Sequence, residues 1–353
     1  MSQATPMRRQ HRYYPELDGV RAIAALLVML FHAQQEGLPL RFSLGVGQTG
    51  VDLFFVLSGF LITSILLKSA PRDWSEVRTF YTRRVLRIFP LYYLTLVLVW
   101  MFIGKPSWFF WVYLQNFWIS FGRFSSGPMH FWSLAVEEQF YLVWPFLVLF
   151  VPRKRLLPIL TATIVFAAVL RFVLVAHHHN VFVLTFTRLD GLAAGAVLAT
   201  LNAREPLTRW ARLMLAIAAL SVIAAAILGH FFRDSQNPAF EAIKYTLITA
   251  VYTCLMGWLL ARPASRATRL LSVRWLRYIG RISYGLYVFH PFVFAWTYRH
   301  FPAQPMLTRA GLAVVFTFAI ATVSWYSFES WFIRLKDVLS PERRPSPTEP
   351  LTV

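Results

Sequence analysis

The sequence is poor in charge. Charged residues make up 14% of its 353 positions, where a soluble domain carries about 25%. Cysteine is nearly absent. Cys254 stands alone, which excludes an intramolecular disulfide framework and a multi-cysteine metal site. Acidic side chains are scarce too: 16 Asp and Glu against 35 Lys and Arg, for a formal net charge of +19. No internal repeat is visible, and no long polar stretch sets off a second soluble domain. What is abundant is apolar: 57% hydrophobic residues, 17% aromatic, and a mean hydropathy of +0.51. This excludes a disordered chain and disfavours a water-soluble globule. It suits a protein that crosses the bilayer many times.

Apolar runs fall at 22–35, 51–67, 88–104, 139–151, 157–176, 181–201, 211–231, 243–261, 282–299 and 310–333. Most approach the roughly 20 residues that span a hydrocarbon core of about 30 Å. They are continuously apolar and do not alternate. An all-α polytopic bundle of about ten transmembrane helices is therefore expected, and not a barrel. The basic residues set its orientation. Twenty-six of the 35 lie in the N-terminal segment, in 68–87, 152–155, 202–212 and 262–281, and in the C-terminal tail. Six lie in the alternate loops: Arg41, Lys105, Arg123, Arg233, Arg299 and Arg309. This positive-inside bias predicts both termini in the cytoplasm. It explains the net charge through membrane lipid, so no nucleic-acid partner is expected. Arg8 and Arg9 before an apolar run look like the start of a signal peptide, but Glu16 and Asp18 interrupt the approach, so the first run is taken as a span. The aromatic stretch 105–133 is expected as a short interfacial helix or re-entrant piece on the outer side. One membrane domain is expected over 1–336, followed by a Pro-rich, disordered cytoplasmic tail over 337–353 and no further domain.

Ionisable groups inside such spans are costly and mark function by default. Arg21 and His32 are eleven residues apart. At 100° per residue they share one helix face, with a rise of about 16 Å between them. Ala25 and Val28 lie between, leaving room for a narrow channel. Near the outer side, His32 can take a proton from a hydroxyl. Against this, Arg21 also reads as a juxtamembrane anchor and His32 as a helix-end histidine bonded to a carbonyl. Glu137 and Glu138 enter a span from the outer side, where either could orient His32 as a carboxylate orients an imidazole in acyl transfer; they also read as hydrated outer residues or partners of Arg188. Asp52 begins the second span at the same level, and could simply cap its helix. Gly59 suits close helix packing. Arg188 and Asp190 are expected to pair with each other or with other polar groups. Arg84 and Arg87, three apart on the inner side, suit a phosphorylated donor through their planar forks, or lipid phosphates. His177, His178 and His179 read as an outer loop, so no metal site is expected. His290, before Pro291, reads as a packed, bonded histidine.

Several of these residues sit in recognisable motifs. Tyr14-Pro15-Glu16-Leu17-Asp18-Gly19-Val20-Arg21-Ala22 with His32, Gly50-Val51-Asp52-Leu53-Phe54-Phe55-Val56-Leu57-Ser58-Gly59-Phe60 and Arg84-Val85-Leu86-Arg87-Ile88-Phe89-Pro90 resemble the integral-membrane acyltransferase family 3. So do Trp132-Ser133-Leu134 with Val136-Glu137-Glu138-Gln139-Phe140-Tyr141, Arg188-Leu189-Asp190-Gly191-Leu192, and Ile282-Ser283-Tyr284-Gly285-Leu286-Tyr287-Val288-Phe289-His290. The resemblance runs in family order over about residues 13–335. It implies a multi-pass enzyme of the bacterial inner (plasma) membrane. Such enzymes O-acylate, usually O-acetylate, an extracytoplasmic glycan, a lipid-linked sugar or a small molecule of the macrolide type. The donor is cytoplasmic acyl-CoA, acetyl-CoA in the common case, and no bound cofactor is implied. The basic-x10-His motif maps onto Arg21 and His32, and Arg-x-x-Arg onto Arg84 and Arg87. The expected catalytic set is thus His32, Glu137, Glu138 and Asp52. Arg21, Arg84 and Arg87 would bind acyl-CoA, and Arg188, Asp190 and His290 would support the intramembrane polar network. One departure is Phe328-Glu329-Ser330-Trp331, which lacks the proline that family members often carry there. The competing reading is a transporter or flippase whose buried charges line a path, although no inverted repeat is seen.

Overall fold

A computed structural model of the chain describes residues 13–38, 44–68, 73–123, 126–177, 179–231 and 238–339. Arg8, Arg9, Arg12, Arg41, Arg72, His178, Arg233, Arg343 and Arg344 lie outside these, as do residues 340–353 of the expected tail.

The chain folds as a polytopic helical bundle, with no strand among the described residues. Ten long helices match the ten apolar runs: α1 (Pro15–Gln35), α3 (Gly50–Leu66), α4 (Trp74–Phe102), α7 (Trp132–Phe150), α8 (Arg153–Ala176), α9 (Thr185–Arg204), α10 (Ala211–Phe231), α11 (Pro238–Ala261), α13 (Arg274–His300) and α14 (Met306–Ser324). Short helices α2 (Leu44–Gln48), α5 (Trp108–Trp111), α6 (Gln115–Ser120) and α12 (Arg266–Leu271) lie between them. A π turn at Trp325–Glu329 joins α14 to α15 (Ser330–Leu339).

Seven candidate spans are long and apolar enough to cross a membrane. The three long helices that are not among them are α1, α9 and α13. These carry five of the ten expected site residues: Arg21 and His32, Arg188 and Asp190, and His290. Two of the closest helix pairs in the bundle are α3 with α9 and α1 with α13. Small residues permit the approach. A Cβ at Gly59 would collide with the backbone carbonyl of Leu192, and one at Gly280 with that of Asp18.

Helix ends extend beyond the hydrophobic runs where local chemistry allows. The run at 88–104 becomes a helix that begins at Trp74, because the Asp73 carboxylate caps it by accepting from the backbone N–H groups of Ser75 (2.8 Å) and Glu76 (3.3 Å). The helix therefore carries Arg84 and Arg87 in ordered register below its apolar half. The run at 139–151 likewise begins at Trp132, after a single turn of tighter helix at Met129–Phe131, and so brings Glu137 and Glu138 inside the bundle.

The 105–133 stretch, expected as one short helix or a re-entrant piece, holds two short helices, α5 and α6, before the turn that leads into α7. Tyr113 between them holds a positive φ of 56°. Gln139 explains this fixed turn, since its amide donates to the Tyr113 carbonyl (2.6 Å) and to Asn116 (3.0 Å).

Candidate active site

Three arginines from two helices converge. Arg21 of α1 and Arg84 and Arg87 of α4 line one cavity of about 120 Å³, together with Ser58, Glu137, Tyr141 and Tyr284. The i, i+3 spacing of Arg84 and Arg87 lets both project from one side of α4 into this cavity. The Arg84 guanidinium stacks over the Tyr141 ring at 5.0 Å, which holds the charge on the cavity wall. Arg21 is braced by Asp18 at 2.7 Å. Glu137 joins this group: Ser58 donates to its Oε1 (3.0 Å) and Tyr141 to its Oε2 (2.8 Å). Glu138 points elsewhere, its Oε1 buried and without a hydrogen-bond partner among the described residues.

His32 lies at the other end of α1, on a wide groove of about 1130 Å³ that His130, Phe292, Trp296 and Arg299 also line. Its partner is a second histidine. His290 Nε2 lies 3.1 Å from His32 Nδ1, and the rings are 4.7 Å apart, edge to face. The carbonyls nearby assign the tautomers, since a carbonyl can only accept. His290 Nδ1 lies 3.0 Å from Leu286 O, so it carries the proton and leaves Nε2 as an acceptor. His32 Nδ1 lies 2.9 Å from Val28 O, so it too is protonated, shared between that carbonyl and His290. The basic lone pair of His32 is therefore on Nε2. A third histidine, His130, faces His290 at 5.7 Å and meets Val288 O through its Nε2 at 3.1 Å.

A polar layer separates the two spaces. Tyr287 donates its hydroxyl proton to His130 O, so Ser133 donates to Tyr287 at 2.7 Å. Ser133 and Tyr287 line the arginine cavity, whereas His130 lines the groove. The expected channel beside Ala25 and Val28 is not open, because both are buried to within 2% of full burial. The polar seam runs instead through α7 and α13.

Two further expectations are corrected by the geometry. Glu137 and Glu138 do not meet His32: Glu137 sits with the arginines, one helical turn beyond Ser133, and His290 holds the imidazole instead. Asp52 is not a helix cap. It is 3% exposed and forms an ion pair with Arg188, itself 1% exposed. Arg188 and Asp190 follow the second of the two expected alternatives and pair with other polar groups, Arg188 with Asp52 and Asp190 with Arg171 at 2.8 Å, not with each other. The reason is helical geometry: residues two apart point to opposite sides of α9. Arg171 is closed off further by Thr246 (2.6 Å) and Ala242 O (3.2 Å), and Arg188 by the Tyr245 ring at 4.2 Å. This four-charge cluster ties α3, α8, α9 and α11 together and lines neither cavity.

Sequence alone does not single out His130, Ser58, Tyr141 and Tyr287. The available signal for Ser58, Tyr141 and Tyr287 is their place inside the quoted motifs. Glu329 falls in the π turn, 7% exposed, where Ser324 donates to it at 2.9 Å and its Oε1 would lie 3.0 Å from a Cβ on Gly285. The chain thus seats Glu329 against α13 without the proline. Among the described residues no group of three or more His, Cys, Asp or Glu could hold a metal.

A family model described as an acyltransferase domain matches residues 14–326. "Peptidoglycan O-acetyltransferase OatA" of Listeria monocytogenes is 33% identical over 92% of this chain and 56% of its own length. "Putative peptidoglycan O-acetyltransferase YrhL" of Bacillus subtilis is 32% identical over 91% of this chain and 55% of its own. "O-acetyltransferase OatA" of Staphylococcus aureus is 31% identical over 79% and 50%. The chain therefore spans about half the length of these curated relatives. No solved structure matches. The bundle is a multi-pass membrane protein of bacterial type, and its match over most of the family model makes it a member of the integral-membrane acyltransferase family.

Proposed function

We propose that the chain moves an acetyl group from acetyl-CoA to a hydroxyl of an extracytoplasmic glycan, across the bilayer and without a bound cofactor. One observation carries this reading. A cavity walled by three guanidiniums shares its polar back wall with a groove that presents an unprotonated histidine nitrogen. Guanidinium forks suit the phosphates of CoA. The thioester end of the pantetheine arm reaches past Glu137 and Leu134 to the Ser133–Tyr287 layer. Rotation of the Tyr287 side chain opens this layer to His32. There His32 Nε2 takes the acceptor hydroxyl proton as the oxygen attacks the thioester carbon. The new C–O bond forms, the C–S bond breaks, and the proton passes to the departing thiolate. The same lone pair could instead attack first and carry the acetyl group; His290 fixes the reactive nitrogen in either case.

The names of the relatives support acetyl as the cargo and a glycan as the acceptor. The basic loops favour a cytoplasmic donor side. A proteoliposome assay tests the reading, with labelled acetyl-CoA outside and saccharide inside or the reverse. Transfer is expected for one orientation of donor and acceptor and absent for His32→Ala. Normal transfer by His32→Ala would refute the role of the imidazole. Movement of saccharide with no ester formed would favour the transporter.

A further inference from the structure

Three imidazoles cluster beside the polar layer, and the reaction above uses two of them. The third, His130, belongs to the layer through its carbonyl, which accepts from Tyr287. Its side chain is 9% exposed and packs edge to face against Phe131 (4.8 Å) and Phe292 (5.6 Å). Its Nε2 meets Val288 O at 3.1 Å, and a carbonyl can only accept, so that nitrogen carries the proton. The lone pair is then on Nδ1, which has no hydrogen-bond partner among the described residues, in a ring that lines the groove. Two basic nitrogens therefore serve the groove, His32 Nε2 and His130 Nδ1. The His290 ring lies 4.7 Å from the first imidazole and 5.7 Å from the second.

The count of free lone pairs decides what the second one is for. If His32 only draws a proton from the acceptor, one basic nitrogen is enough and His130 has no task. If His32 Nε2 instead attacks the thioester and carries the acetyl group, both of its nitrogens are occupied, Nε2 by carbon and Nδ1 by its proton. His290 cannot act for it: its Nδ1 proton is held by Leu286 O, and its Nε2 faces the His32 proton. His300 also lines the groove, but it stands ten residues beyond His290 on α13, a rise of about 15 Å. Glu137 lies in the arginine cavity. His130 Nδ1 is the base that remains for the acceptor.

Resting on the acyl-transfer reading above, we propose that His130 is a second catalytic base: His32 carries the acetyl group, and His130 takes the proton of the hydroxyl that receives it. In the first step His32 Nε2 bonds to the thioester carbon, the C–S bond breaks, and the sulfur leaves as thiolate with the electron pair. The acetyl-imidazolium keeps its Nδ1 proton, shared by Val28 O and His290 Nε2, and these two acceptors support the new positive charge. In the second step the acceptor oxygen attacks the acetyl carbon while His130 Nδ1 takes its proton. The C–O bond forms, the C–N bond breaks, and the electron pair returns to His32 Nε2. His130 then gives its proton to water in the groove, and the thiolate takes one from water on the donor side. Donor and acceptor need not occupy the site together, so the Ser133–Tyr287 layer can close between the two steps.

Two measurements on the full chain separate the steps. Exchange of labelled CoA into acetyl-CoA needs only the first, and is read on protein purified in detergent with no saccharide added. Ester formation needs both. It is read in membrane vesicles as alkali-labile label passed from acetyl-CoA to their envelope glycan, above the level given by His32→Ala. The informative variant is His130→Gln, whose amide can still donate to Val288 O but has no basic nitrogen. It should keep exchange within about twofold of the unaltered chain and lower ester formation by about a hundredfold or more. Intact exchange also shows that the variant folds. Equal loss of both activities would make His130 a structural support of the site and overturn the proposal. Ester formation at the unaltered rate would overturn it as well. Ester formed by the unaltered chain with no exchange would mean transfer in one step, which removes the second base but spares acyl transfer. No ester from the unaltered chain would sink the acyl-transfer reading, and this proposal with it.

Discussion

In the proposed reaction the chemistry turns on His32 Nε2, and two groups hold its proton on the other ring nitrogen. His290 shares the proton on Nδ1, and Val28 O keeps it there. General acid–base catalysis contributes about 10²–10⁴ in rate. We expect His32→Ala to lower kcat by that order while the protein still inserts. His290→Ala should give a smaller loss with an unchanged KM for donor, because it frees the tautomer and leaves the nitrogen in place; initial-rate kinetics in vesicles separate the two. Arg84 sits at the other end. Its guanidinium is held open to the cavity by Tyr141, and removing a charged hydrogen bond costs about 1.5–3 kcal/mol. Arg84→Ala should therefore raise KM for acetyl-CoA roughly tenfold to a hundredfold. An unaltered KM would count against a phosphate clamp. Arg84, Arg87, Arg21 and His32 were legible as candidates because residue type and helical spacing set them apart and the family motifs matched them. His130 was not, because nothing in its own segment says that α13 will bring His290 and the Val288 carbonyl beside it.

Helices show where hydrophobic pattern ends and local chemistry begins. The apolar run 88–104 locates only the upper part of α4; the Asp73 cap adds the turns that carry the arginines. Packing between helices rests on small residues. Gly59 lets α3 touch the backbone of α9, so Gly59→Val should cost about 1–3 kcal/mol by overpacking. Gly229 provides the control, since a methyl group there would meet nothing within 4 Å: Gly229→Ala should leave the melting temperature in detergent unchanged or slightly higher. The Asp52–Arg188 pair is structural in the same sense. Asp52→Asn leaves a guanidinium buried without its counter-charge and should destabilise by about 3–5 kcal/mol. Thermal unfolding of Asp52→Asn beside the Asp52→Leu, Arg188→Met double variant checks this; the double variant should recover much of the loss.

At the scale of the molecule, the bundle divides its labour. Seven spans are apolar enough to meet lipid along their length, and α1, α9 and α13 are apolar runs interrupted by polar residues. Orientation follows from charge, not from packing. In a Cys254→Ala background, Lys105→Cys is expected to react with a membrane-impermeant maleimide in spheroplasts, and Arg274→Cys only after permeabilisation. The opposite pattern would invert the donor and acceptor sides.

What the sequence by itself determined is the helical bundle and the approximate place of its ten long helices. In hydrocarbon every backbone N–H and C=O must be satisfied within its own segment, so apolar length alone is decisive. Tertiary structure alone decided which polar groups meet. Arg188 finds Asp52 across 136 positions of chain, and His32 finds His290 across 258. Periodicity describes the face that a helix presents but not the helix that will cover it. Only packing decides that Asp52 of α3 meets Arg188 of α9, that Glu137 of α7 joins Ser58 and the arginines, and that His32 of α1 meets His290 of α13.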